Sequence, residues 1–153
     1  MGPVFTIVIT VAGIWIAVMM ALKGVVFLLR KQTGKAARTA LHTEVIRKFT
    51  DNSNYLGAHF PGPNLPPRTS GVLVLTETRL FFLPWFPRRA ITLPRDFILS
   101  VKASLLFGDK SYNIPALILT VRGVGDPDGE MAWLVHDPEG WEREINQLIR
   151  RQE

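Results

Sequence analysis

Apolar residues run without a charge from Pro3 to Leu22, "PVFTIVITVAGIWIAVMMAL", and resume after Lys23 as "GVVFLL" up to Leu29. As a helix, twenty residues rise about 30 Å, the thickness of a hydrocarbon core, so residues 1–30 are expected to form a transmembrane anchor. A span of this length tilts readily, and Lys23 either snorkels its amine to the headgroups or meets a polar group on another subunit. Apolar spacing then changes: Ala37, Leu41, Val45 and Phe49 recur four apart, which predicts a helix from about Lys35 to Phe49. Lys31, Lys35, Arg38 and His42 line the adjacent face, so residues 31–50 read as a basic amphipathic juxtamembrane helix, lying on an anionic bilayer or packing on the domain. From Asp51 to Ser70, prolines, Asn, Ser and Gly break helical periodicity. That stretch reads as linker or loop, with "YLGAHF" compatible with one short strand.

Beyond Ser70 the period shortens to two. Strands are expected near Val72–Leu75, Arg79–Leu83, Ala90–Leu93, Ile98–Leu106, Ala116–Arg122 and Met131–His136, separated by "TET", "PWFPRR", "PRD", "GDKSYNIP" and "GVGDPDGE". Short strands with tight turns make an antiparallel meander that closes on itself. The chain then runs into a helix with Asp137 as N-cap, Pro138 at its first position, acids early, and Arg150 and Arg151 late. Its stripe of Trp141, Ile145, Leu148 and Ile149 is expected to plug the meander. The fold class is therefore α+β, an N-terminal transmembrane helix followed by a small antiparallel β-barrel or sandwich over residues 71–153, capped by a C-terminal helix.

Charge sharpens this organisation. Between Lys23 and Lys48 there are seven basic residues and one acid, whereas the chain from Phe49 onward carries eleven basic and twelve acidic residues. Positive charge concentrated directly after an apolar run points to a membrane surface; nucleic acid would call for a basic patch on the folded domain. Arg30 and Lys31 follow the run while only Met1 and Gly2 precede it, which argues for a retained anchor over a cleaved signal. The positive-inside rule then places the amino terminus outside and the domain in the cytoplasm. Gly13 with Ala17, and Ala21 with Gly24, offer small-residue spacing for helix pairing. The absence of Cys leaves neither a disulfide framework nor a thiolate metal site.

The ordered set "GVLVLTETRLFFLP", "ITLPRDFILSVKA" and "AWLVHDPEGWEREINQLI" resembles the GRAM and bacterial pleckstrin-homology-like domains, over about residues 70 to 151. The resemblance implies a barrel filled by Leu73, Leu75, Leu80 and Phe82, with Thr76 and Arg79 tying the first hairpin turn. It implies a binding module for lipids or protein segments rather than an enzyme. The Lys and Arg cluster with which phosphoinositide-binding relatives furnish the first strand loop is not matched in "TET".

Candidate contact residues are few. Trp15, Lys23, Arg30, Lys31, Lys35 and Arg38 are placed against membrane or lipid, and Trp85, Phe86, Arg88 and Arg89 form a possible docking loop of aromatics and guanidiniums. Alternatively, Trp85 and Phe86 fold onto the core. Asp126, Asp128 and Glu130 alternate as in a calcium loop but lack its remaining ligands, so "DPDG" reads as a hairpin turn. His42, His59 and His136 suggest neither a metal cluster nor a catalytic dyad, and no Gly-rich phosphate loop is present. No catalytic residue, cofactor or metal is expected. The expected function is a cytoplasm-facing module anchored in the inner membrane, an accessory or scaffolding subunit of a larger membrane assembly; the alternative is a sensor of anionic lipid.

Overall fold

In the computed structural model, residues 3–59, 65–123 and 127–151 are described, with side chains from Ile14 onward. Helix α1 (Pro3–Ala40) precedes β1 (Ile46–Ala58), β2 (Thr69–Thr76), β3 (Arg79–Pro84) and β4 (Ile91–Pro94). A 3-10 turn over Arg95–Phe97 leads to β5 (Ile98–Phe107), β6 (Lys110–Val121), β7 (Gly129–Leu134) and helix α2 (Pro138–Arg150). The strands form one antiparallel sheet in the order β4-β3-β2-β1-β7-β6-β5. Seven twisted strands curl around a core in which Leu73, Leu75, Leu80 and Phe82 meet Leu117, Leu119, Met131 and Trp133. Tyr55 and Trp133 centre it, their rings 5.5 Å apart.

Helix α2 closes the core. Asp137 caps it by accepting from the Gly140 N–H at 3.0 Å, and Trp141, Ile145 and Leu148 are buried, as their spacing predicts. Ion pairs from the start of β1 hold α2 in place: Lys48 reaches Asp137 at 2.8 Å and Arg47 reaches Glu144 at 3.2 Å, while Arg47 also approaches Glu77 of the β2–β3 turn at 3.9 Å.

The neck differs from its periodicity. Helix α1 ends at Ala40, not Phe49, and Ile46–Ala58 is a strand, not helix and linker, so the sheet begins at Ile46 rather than Gly71. The physical reason lies in contacts made across elements. Ala37 of α1 and Leu41 just past its end pack on the outer face of β2 and β3 against Val72, Val74 and Phe81, and Phe49 joins them from β1. The Phe49 ring lies 3.8 Å from where a Cβ of Gly34 would stand, with the Arg38 guanidinium 4.5 Å over it. An apolar contact spaced like the next helical turn is thus made from a neighbouring strand, while Val45 is left exposed.

Strand β1 escapes the alternating pattern because polar side chains are satisfied inside the sheet. Ser53, fully buried, donates to the Gly71 carbonyl at 2.9 Å, and Ser70 donates to Asn54 at 2.6 Å. Three register shifts along β1 let it serve both halves of the sheet, pairing with β2 and then with β7. Strand β6 likewise begins at Lys110, inside the expected turn "GDKSYNIP". Its irregular pairing with β5 between Ser104 and Leu106 folds the hairpin so that Phe107 covers Leu56, Ile118 and Ala132 and stacks on His59 at 4.3 Å.

Among the described residues, no helix is long and apolar enough to cross a membrane. Counted from Ile14, the uncharged run lasts nine residues before Lys23. Gly13 and Asp126, named above in the pairing and turn readings, lie outside the described side chains.

Candidate interaction surface

Helix α1 is divided by its surroundings. From Thr33 to Leu41 one face is sealed against the sheet, whereas Ile14 to Leu28 is exposed on every side. Trp15 is 66% exposed and Phe27 63%, with no protein surface over them. A helix apolar all round needs cover from a bilayer or another chain.

Two polar ties fix where that bare half points. At the far end of α1, Glu44 receives the Arg79 guanidinium and accepts from Thr76 Oγ1 at 2.6 Å and Thr78 Oγ1 at 2.8 Å, fastening the end of the helix to the β2–β3 turn. Burial opposes the Glu44 charge, yet the hydrogen bonds from Arg79, Thr76 and Thr78 prevail and hold the carboxyl below its ordinary range. Nearer the bare half, Arg30 donates to Asp51 at 2.6 Å. That bond depresses the Asp51 pKa against the effect of burial.

The spacing between these ties sets direction. Arg30 to Leu41 is about 16 Å of helix, and Gly71 to Thr76 about 17 Å of strand, so α1 runs alongside β2 with its bare half leaving past Gly71. Gly71 pairs with Pro84, the last residue of β3. The β3–β4 loop therefore emerges at the same end of the sheet as the bare helix.

In that loop the aromatics part company. Trp85 is half-buried, its N–H bonded to the Ser70 carbonyl at 2.9 Å and its indole Nε1 buried without a partner; Phe86 is 83% exposed, followed by exposed Arg88 and Arg89. Trp85 thus braces the loop that carries Phe86 outward. Arg68, exposed and held at a left-handed φ of 64°, lies one residue before β2 at this end and donates its N–H to Tyr55. Sequence reasoning passed over Arg68 because nothing in "PPRTS" marks it; only the pairing of β2 with β3 brings it to the end of the sheet from which the β3–β4 loop leaves.

The basic neck divides similarly. Arg30, Arg47 and Lys48 are engaged by Asp51, Glu77, Glu144 and Asp137, whereas Lys23, Lys31, Lys35 and Arg38 are exposed and in no salt bridge among the described residues. Thr76 and Arg79 tie the first hairpin turn. Asp128 accepts from the Gly123 N–H at 3.1 Å, a turn contact. Among the described residues no His, Asp and Glu side chains group as metal ligands.

The two sheet edges are partly covered. Strand β4 is four residues long and ends on Pro94, and on β5 the Ala103 N–H is taken by Glu142 of α2 at 3.1 Å.

No family model matches the sequence, and no curated protein does. Solved structures show the fold. The N-terminal PH domain of Vps36 is similar with a TM-score of 0.54 at 14% identity, covering 72% of this chain and 82% of that one. The C-terminal domain of an unknown protein from Leishmania infantum is similar with a TM-score of 0.50 at 13% identity, covering 75% of this chain and 94% of that one. The chain therefore has a PH-like fold, with α1 laid along its outer face.

Proposed function

We propose that the chain is a single-pass membrane protein whose PH-like domain is a non-enzymatic interaction module held against the inner face of the cytoplasmic membrane. The observation that carries this reading is the coincidence at one end of the sheet: the bare, all-round apolar half of α1 and the Phe86 loop leave the domain together. Sequence supplies the rest of the span, because no charge occurs between Pro3 and Leu22. Exposed Lys31, Lys35 and Arg38 at the domain end favour a cytoplasmic domain and an external amino terminus.

On this reading the domain acts by position. α1 is packed into the sheet, so it confines the domain near the bilayer and raises its effective concentration for membrane partners, as an accessory or scaffolding subunit would. Gentle detergent extraction of the tagged full chain, followed by sizing and mass spectrometry, tests this. A discrete complex of fixed stoichiometry is the expected result; a lone monomer or dimer refutes the subunit role.

A second reading, sensing of anionic lipid, is favoured by one observation, the outward Phe86 followed by Arg88 and Arg89. An apolar tip beside guanidiniums suits an interface where acyl chains meet phosphates.

A further inference from the structure

On the bare half of α1, Met19, Leu22, Lys23, Val26, Phe27 and Arg30 line an open groove of about 320 Å³. Their spacing puts all six on one helix face. The groove has polarity: toward the N-terminus it is apolar, and its domain-side half is bracketed by two cations seven residues apart, about 10 Å along the axis. The two cations differ. Arg30 is anchored by Asp51, with its Nε left without a hydrogen-bond partner, whereas Lys23 is exposed and in no salt bridge among the described residues. α1 contains no Asp or Glu from Pro3 to Ala40, so no acid on the helix answers Lys23.

We propose that this groove binds one anionic glycerophospholipid of the leaflet nearest the domain, its phosphate between Lys23 and Arg30 and an acyl chain along Met19 and Leu22. The assignment rests on the membrane reading above. Apolar surface points toward the bilayer centre and cations toward its edge, matching the order of chain and headgroup in a lipid. Snorkelling carries the Lys23 amine back toward the headgroup level, which is also the direction of Arg30. Asp51 cancels one of the two charges, so the site favours a lipid with net negative charge only through Lys23, and that residue decides the preference.

The test uses the full chain reconstituted in equal parts phosphatidylglycerol and phosphatidylcholine, extracted in mild detergent, with retained lipid counted by native mass spectrometry. A single retained phosphatidylglycerol per chain is expected, and Lys23→Gln should lower its retention about tenfold, as loss of one charge-assisted contact predicts. Val26→Trp, which fills the groove without altering charge, should do the same, and Lys35→Gln, outside the groove, should leave retention unchanged. Equal loss in Lys35→Gln, or no selectivity over phosphatidylcholine, overturns the proposal. Displacement of the lipid by inorganic phosphate also overturns it, by assigning the site to a free ion. Carbonate washing of the wild-type membranes separates the two readings: release of the chain refutes the anchor, while retention without selective lipid refutes the groove alone.

Discussion

Glu44, four residues past the end of α1, receives the guanidinium of Arg79 at the start of β3, and this contact ties the helix to the first hairpin of the sheet. Its two side chains are 18% and 31% exposed, so neither charge is fully solvated. Because a short connection is fastened at its far side, the helix cannot swing freely on the domain. The orientation of the Phe86 loop relative to the bare half of α1 depends on that.

Glu44→Gln is expected to destabilise the fold by about 2 kcal/mol, the range for a hydrogen bond to a charged group. It should also change the acid profile. The folded pKa of Glu44 lies below its ordinary 4.5, so its stabilisation is complete above that value and is lost as pH falls through the folded value. Thermal melts of wild type and variant between neutral pH and strong acid should therefore converge as the medium is acidified. Parallel profiles would show that the carboxylate contributes no ionic stabilisation.

Leu41, the residue directly after α1, is 1% exposed and buries its side chain against the outer face of β2 and β3. Leu41→Ala should cost about 3 kcal/mol, a typical large-to-small core loss. Hydrogen exchange should then rise in residues 33–41 before it rises in β6 and β7. Unchanged protection there would mean that the helix is held by its polar ties alone.

Gly71 pairs with Pro84, and a Cβ placed on it would meet the Leu83 carbonyl oxygen at 2.5 Å and the Pro84 Cα at 2.7 Å. Those neighbours are backbone and cannot step aside. Gly71→Ala should separate β2 from β3 and lower stability by about 2 kcal/mol, in line with overpacking in a filled interior, as read by denaturant unfolding. A melt identical to wild type would show the strands yielding without cost.

Phe86, 83% exposed, should tolerate Phe86→Ser without loss of thermal stability. If the loop reads lipid, binding of the 31–153 fragment to phosphatidylglycerol vesicles falls in Phe86→Ser and in the Arg88→Glu, Arg89→Glu pair, and weakens as salt rises. Circular dichroism must first show that the fragment folds. A folded fragment that ignores vesicles rejects the lipid-sensing reading and leaves the subunit reading standing.

Much of the domain is legible from local pattern. The strands β3 to β5 and β7 fall within two residues of their expected ranges and β2 within three, and α2 has its cap at Asp137, because each carries its own period and its own punctuation. The candidate surface is legible only in part. Phe86, Arg88 and Arg89 stand out in "PWFPRR", but nothing local separates an outward Phe86 from a half-buried Trp85, since that difference comes from the Trp85 N–H bonding to Ser70 across the sheet.

Sequence alone determined the elements whose side chains meet neighbours a few residues away: the uncharged run after Pro3, the hairpin from Gly71, the capped final helix, and the basic excess from Lys23 to Lys48. Tertiary structure decided β1. Residues 46–58 show no strand alternation, and their Ser, Asn and Asp resemble a turn, yet they lie at the centre of the sheet because both backbone edges find partners in β2 and β7. It also decided which cations remain unpaired, for Arg47 and Lys48 meet acids 30 to 97 residues away. Local spacing encodes contacts along one element; pairings across dozens of residues depend on backbone groups and charges that only the assembled sheet brings within reach.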